Sequence, residues 1–270
     1  MFVVKVPGVN GPGDTDGCRD SGEVILKELK NIYINERGKL VDADLFEVDE
    51  IHLDNLNLEY SNKLIYKNSL EIFEKKPKTI FLGGDHSISY PIGRAFLEYC
   101  KEAKKEPFLI VFDARPNCMR SSYDKSPTQE EWLRVLVDKG FPAENILLVG
   151  TRNPNLEEMS FLKNHSIKFI LMNSLLEDLQ ETCDMIMELS NKKELYVSID
   201  ISIIDPAFAP STNYKEPGGL TSRQFLYLIQ RINKIKSLKA IDLVEINKEE
   251  DRKNDNMTIK LGAKILSEFL

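Results

Sequence analysis

Short apolar runs alternate along the chain with longer stretches in which apolar positions recur every three or four residues. The first pattern predicts strands and the second amphipathic helices; their regular alternation predicts a mostly parallel sheet with helices on both faces. Strands are expected at 2–6, 43–48, 79–82, 108–112, 146–149, 167–171, 195–201 and 240–246. Helices are expected at 22–31, 56–74, 88–101, 129–139, 155–163, 175–191, 222–236 and 257–269. Phe108-Leu109-Ile110-Val111-Phe112 is apolar on both sides, as a strand buried within a parallel sheet should be. Thr128 and Thr221 stand where helix N-caps belong, and Gln129-Glu130-Glu131 puts carboxylates in a first turn. The expected fold class is α/β, a three-layer α/β/α arrangement around about eight strands, with residues 1–270 forming one domain.

In sheets of this kind functional side chains gather beyond the carboxyl ends of the strands. His86, Asp113, Asp200 and Glu245 each follow or end a different predicted strand, with Asp85 and Asp205 beside them, so one crevice is expected. The formal charge of −7 and pI near 5.3 argue against a nucleic-acid partner, and Lys and Glu are mixed as on a solvated surface. No apolar run approaches the roughly 20 residues of a membrane span. The first residues read as a strand rather than a signal peptide, and the four cysteines show no C-x-x-C spacing. A reduced cytoplasmic protein without membrane partners is therefore expected.

Three segments carry the chemistry: Gly83-Gly84-Asp85-His86-Ser87, Asp113-Ala114-Arg115-Pro116-Asn117, and the run from Ser198 to Pro206 containing Asp200, Ser202 and Asp205. They resemble the metal-binding segments of the arginase/agmatinase (ureohydrolase) family, read there as G-G-D-H-S, D-A-H-x-D and S-x-D-x-D-x-x-D-P. The resemblance extends to Gly150-Thr151-Arg152, Glu216 to Thr221 and Glu245-Ile246-Asn247, and so covers nearly the whole chain. It implies the arginase/deacetylase-like fold. In that family two Mn²⁺ ions share a hydroxide that attacks a guanidinium carbon. Hard divalent cations of this kind favour carboxylate and imidazole ligands.

By position, the resemblance places His86, Asp113, Asn117 and Asp200 at the first metal. Asp113, Arg115, Asp200 and Ser202 fall at the second. Arg115, Asn117 and Ser202 replace ligands, so this is a divergent member. A guanidinium is permanently charged and cannot ligate a metal. Beside a dication at about 4 Å it would cost several kcal/mol at an effective dielectric near 20. Arg115 is therefore expected to replace the second metal as counter-charge to Asp113 or Asp200. Gln129 falls at or near a family histidine that shuttles protons, and a glutamine cannot titrate. Glu245 matches the carboxylate that pairs with the substrate guanidinium. It is free to meet a small cationic ligand or to pair internally with Arg115.

These positions imply no metal, or one weakly bound Mn²⁺, rather than a binuclear cluster. The expected function is that of a catalytically inactive pseudoenzyme with a binding, assembly or regulatory role. The alternative is an active hydrolase of linear amidines or guanidino compounds with an altered, mononuclear site. Family resemblance also implies a homo-oligomer (trimer or hexamer), or a mixed complex with an active paralogue. His52 and His165 read as structural or solvated, and Cys118 as a packed thiol. The stretch from Gly8 to Gly17 lacks the Lys-Ser/Thr of a phosphate loop and reads as a wall of the crevice.

Overall fold

The computed structural model describes residues 1–11, 15–120 and 126–270. Eight strands form one parallel sheet: β1 (Phe2–Val6), β2 (Glu47–Glu50), β3 (Thr79–Gly83), β4 (Pro107–Phe112), β5 (Ile146–Thr151), β6 (Lys168–Leu171), β7 (Glu194–Asp200) and β8 (Leu238–Val244), in the spatial order β2-β1-β3-β8-β7-β4-β5-β6. Helices α1 (Ser21–Leu29), α6 (Met172–Glu177), α7 (Leu179–Leu189), α8 (Ser222–Ile232) and α10 (Met257–Glu268) pack on one face. Helices α2 (Leu58–Lys75), α3 (Ser89–Glu102), α4 (Trp132–Asp138) and α5 (Leu156–Asn164) cover the other. A short helix α9 (Lys248–Asp251) follows β8. Alternation within β4 supplies both layers: Phe108, Ile110 and Phe112 enter one core, Leu109 and Val111 the other.

Three expected elements differ. Residues 43–48 begin as a 3-10 turn over Ala43–Leu45, because the Asp42 side chain accepts from the Asp44 N–H, and the edge strand starts only at Glu47. The helix expected from Gln129 begins at Trp132. The Glu131 carboxylate accepts from both the N–H and the hydroxyl of Thr128, which holds the intervening residues in a turn. The helix expected over 175–191 is two, because Asp178 caps the second by accepting from the Glu181 N–H. Thr221 is an N-cap as expected, within a capping box completed by Gln224.

Because every strand runs the same way, all carboxyl ends open on one edge. β3, β8, β7 and β4 are consecutive neighbours, so the segments following them meet there.

Candidate functional site

The four central strands deliver His86, Glu245, Asp200 and Asp113 in that spatial order. His86 opens a single 3-10 turn after β3, capped by Asp85, whose carboxylate accepts from the Ser87 N–H at 3.0 Å. The other Asp85 oxygen accepts from Asn10 N (2.6 Å), Gly11 N (2.9 Å) and the Thr15 hydroxyl (2.7 Å). This carboxylate therefore ties the loop after β1 to the segment bearing His86. Residues 12–14 of that loop lie outside the described residues.

His86, Asp113 and Asp200 are buried and lie together. Their ligand atoms fall within 4.8 Å of one another, a group able to hold one metal ion. His86 Nδ1 is 3.1 Å from Asp113 Oδ2 and 3.3 Å from Asp200 Oδ2. Burial alone would disfavour the imidazolium, but the two carboxylates outweigh it and hold the His86 pKa well above its ordinary value. Burial, reinforced by Asp200, raises Asp113 to about 6. Burial also disfavours ionised Asp200, yet the His86 contact and the Ser202 N–H keep its pKa low.

Asn117 and Ser202 meet these aspartates by hydrogen bonding. The Asn117 amide nitrogen donates to Asp113 Oδ2 and lies 3.1 Å from His86 Nδ1. The Ser202 hydroxyl donates to Asp113 Oδ1 at 3.2 Å, and the Ser202 N–H donates to Asp200 at 2.7 Å.

Arg115 departs from expectation. Only its backbone N–H reaches Asp113, at 2.8 Å. Its guanidinium lies 3.7 Å above the Tyr214 ring and 3.7 Å from Glu130, so it is not the counter-charge to Asp113 or Asp200. The stacked ring holds a planar cation well, and neutral donors with imidazole already surround the aspartates.

Gln129 is buried; its amide nitrogen donates to the Tyr214 hydroxyl at 3.1 Å, and its carbonyl oxygen has no partner among the described residues. Glu245 has an unusual backbone (φ +66°) and is buried. One carboxylate oxygen accepts from the His86 N–H at 2.8 Å and the other has no partner among the described residues, so the internal pairing with Arg115 is not formed. Burial, with Asp200 and Asp85 nearby, pushes its pKa well up.

Sequence reasoning missed the support behind His86. Its Nε2 lies 2.8 Å from the Ser198 hydroxyl, which donates to buried Asp242 at 2.8 Å; Tyr196 and Ser89 donate to the same carboxylate. The available signal was a lone carboxylate in the apolar run Ala240-Ile241-Asp242-Leu243-Val244. Trp132 was also missed; its ring stacks on His86 with centroids 4.7 Å apart. His52 is exposed, His165 stacks on Phe161, and Cys118 is a buried thiol whose pKa burial pushes up.

The chain matches the family model described as "Arginase family" over residues 2–270. It belongs to the arginase family. It is 28% identical over 258 residues to "Arginase 1, mitochondrial" of Arabidopsis thaliana, covering 95% of this chain and 70% of that protein. It is also 28% identical over 237 residues to an agmatinase of Bacillus subtilis, covering 86% and 76%. Among solved structures, it superposes on proclavaminate amidino hydrolase from Streptomyces clavuligerus with a TM-score of 0.87 at 23% identity, covering 99% and 89%. For formimidoylglutamase from Bacillus subtilis the TM-score is 0.88 at 23% identity, covering 99% and 85%. This arginase-family chain thus has the family's fold and a His/Asp group able to hold a metal at its strand ends. No helix among the described residues is long and apolar enough to cross a membrane.

Proposed function

We propose that this arginase-family chain does not assemble a binuclear manganese centre and is a catalytically inactive pseudoenzyme with a binding, assembly or regulatory role. The observation that carries this reading is Asn117: its amide N–H donates to Asp113 and faces His86 Nδ1. That amide joins His86, the Ser202 hydroxyl and the Arg115 N–H in satisfying the Asp113 carboxylate with protein donors. Two dications do not fit the donor set, since Arg115 offers a turned-away cation and Ser202 a hydroxyl where the family pattern has ligands. Gln129 adds no titratable proton at the crevice.

The second reading is a mononuclear hydrolase of amidine or guanidino compounds. The grouping of His86, Asp113 and Asp200 within 4.8 Å favours it. A single divalent cation bound there would act as a Lewis acid or lower the pKa of a water. The chain's own residues would orient the ligand, Glu245 and Gln129 each through an oxygen that has no partner among the described residues. Supplied with Mn²⁺ and either arginine or agmatine, the protein is expected to release no urea above the uncatalysed rate. Rapid release sinks the pseudoenzyme reading. The proposed assembly is a homotrimer or hexamer, or a mixed oligomer with an active paralogue. Isolated from its native cell extract, the protein is expected in an assembly with copies of itself or with a co-purifying paralogue, and a lone monomer there counts against it.

A further inference from the structure

Away from the crevice, α2 and α3 part over a cavity of about 530 Å³, flanked by Lys139 at the end of α4. Lys63 and Lys67 line it from successive turns of α2, and Tyr90 and Arg94 from successive turns of α3. Among the described residues that line it, four are cations and one, Glu59, is a carboxylate, on a chain whose formal charge is −7. Like charges four residues apart on a helix repel, and cations gathered from three elements compound the effect. Exposed on one groove, these side chains make a locally positive surface to which an anion from outside the chain is drawn.

The groove also has a fixed wall. The Tyr90 side chain is buried in the core, and the Arg94 guanidinium carbon lies 5.1 Å from the Tyr66 ring centroid and 5.8 Å from that of Tyr90. Held against two rings, the guanidinium is pre-oriented, and its planar fork matches paired phosphate oxygens. The volume lies within the roughly 300–1,000 Å³ of small-molecule sites, and a cleft of one sign concentrates ligands of the other.

The geometry points to a binding site here for a small phosphate-bearing anion with at least two charges, of the pyrophosphate or nucleoside-polyphosphate class. The lysines neutralise the ligand, Arg94 grips a phosphate, and the Tyr66 ring flanks any attached base. This site is independent of the crevice, so its failure leaves the pseudoenzyme reading untouched.

Calorimetric titration of the whole protein with pyrophosphate, ATP and citrate, at physiological ionic strength, tests it. Pyrophosphate and ATP are each expected to bind once per chain. The double substitution Lys63→Glu/Lys67→Glu is expected to weaken both by about tenfold or more, whereas Lys260→Glu on α10 changes them by less than about twofold. Both groove lysines are exposed, so an unchanged circular dichroism spectrum is expected. Arg94→Lys keeps the charge but loses the fork, and is expected to weaken binding as well. Tighter ATP than pyrophosphate binding assigns the nucleotide source, and the reverse assigns free pyrophosphate. Absence of binding by both phosphates, equal weakening by Lys260→Glu, or citrate binding as tight as pyrophosphate would overturn the proposal.

Discussion

Asn117 has a left-handed backbone (φ +52°), a region that asparagine tolerates better than most side chains. From there its amide donates to Asp113. Asn117→Ala leaves that buried carboxylate one donor short and puts alanine in a disfavoured conformation. A loss of about 1–3 kcal/mol is expected in chemical denaturation. A loss below about 0.5 kcal/mol would show that the amide is not holding the site. Asn117→Asp should behave differently, because it adds a third carboxylate beside Asp113 and Asp200. The metal-free variant is expected to melt earlier than the parent and to recover with added Mn²⁺, whereas a parent-like melting point without metal would contradict the network described. The charge of Arg115 was legible in the sequence, but its direction was not. Tyr214, which holds it, is about a hundred residues away, and no local spacing signals that contact.

Elements were legible wherever one local pattern dominated, as in β4, whose apolar residues face two cores, and α8, whose capping box stands beside its first turn. They were misread where a single side chain interrupted the pattern, as Glu131 does before α4 and Asp178 does between α6 and α7. The turn after β3 depends on Gly84, where an added β-carbon would collide with the Gly8 carbonyl oxygen. Gly84→Ala is expected to cost roughly 1–3 kcal/mol and to disturb the loop that Asp85 secures, read by denaturation. An unchanged midpoint would refute the close approach. Lys78, just before β3, joins two other elements by donating to Asn233 at the end of α8 and to the Phe269 carbonyl after α10. Burial, with Arg37 and Lys39 nearby, lowers its pKa to about 8 from an ordinary 10.5. Between these values the unfolded chain keeps a proton the folded chain has released, so stability rises with pH across that window. Below about pH 8 the cost of burying the charged amine is fully present. Relative to Lys78→Met, the parent should gain on the order of 2 kcal/mol between pH 8 and 10.5, measured by denaturation at each pH. A pH-independent difference would contradict the assignment.

For the whole molecule, the parallel sheet was readable from the alternation of elements, and the crevice from polar residues following its strands. Spatial strand order was not, because nothing local states that β8 lies between β3 and β7. That order is what brings His86, Glu245, Asp200 and Asp113 together, and it leaves His86, Asp113 and Asp200 grouped so that they could hold a metal ion. Combining Arg115→His, Asn117→Asp, Gln129→His and Ser202→Asp is therefore expected to raise the Mn²⁺ content to about two per chain. Failure to gain metal in a folded variant would show that the scaffold has diverged as well. The central claim concerns the parent protein: hydrogen bonds and an imidazole, not a metal pair, satisfy Asp113 and Asp200. Electron paramagnetic resonance of the protein equilibrated with excess Mn²⁺, combined with metal analysis after desalting, tests it most directly. At most one Mn²⁺ per chain and no exchange-coupled signal are predicted; two ions per chain with the coupled spectrum of a bridged pair would contradict it.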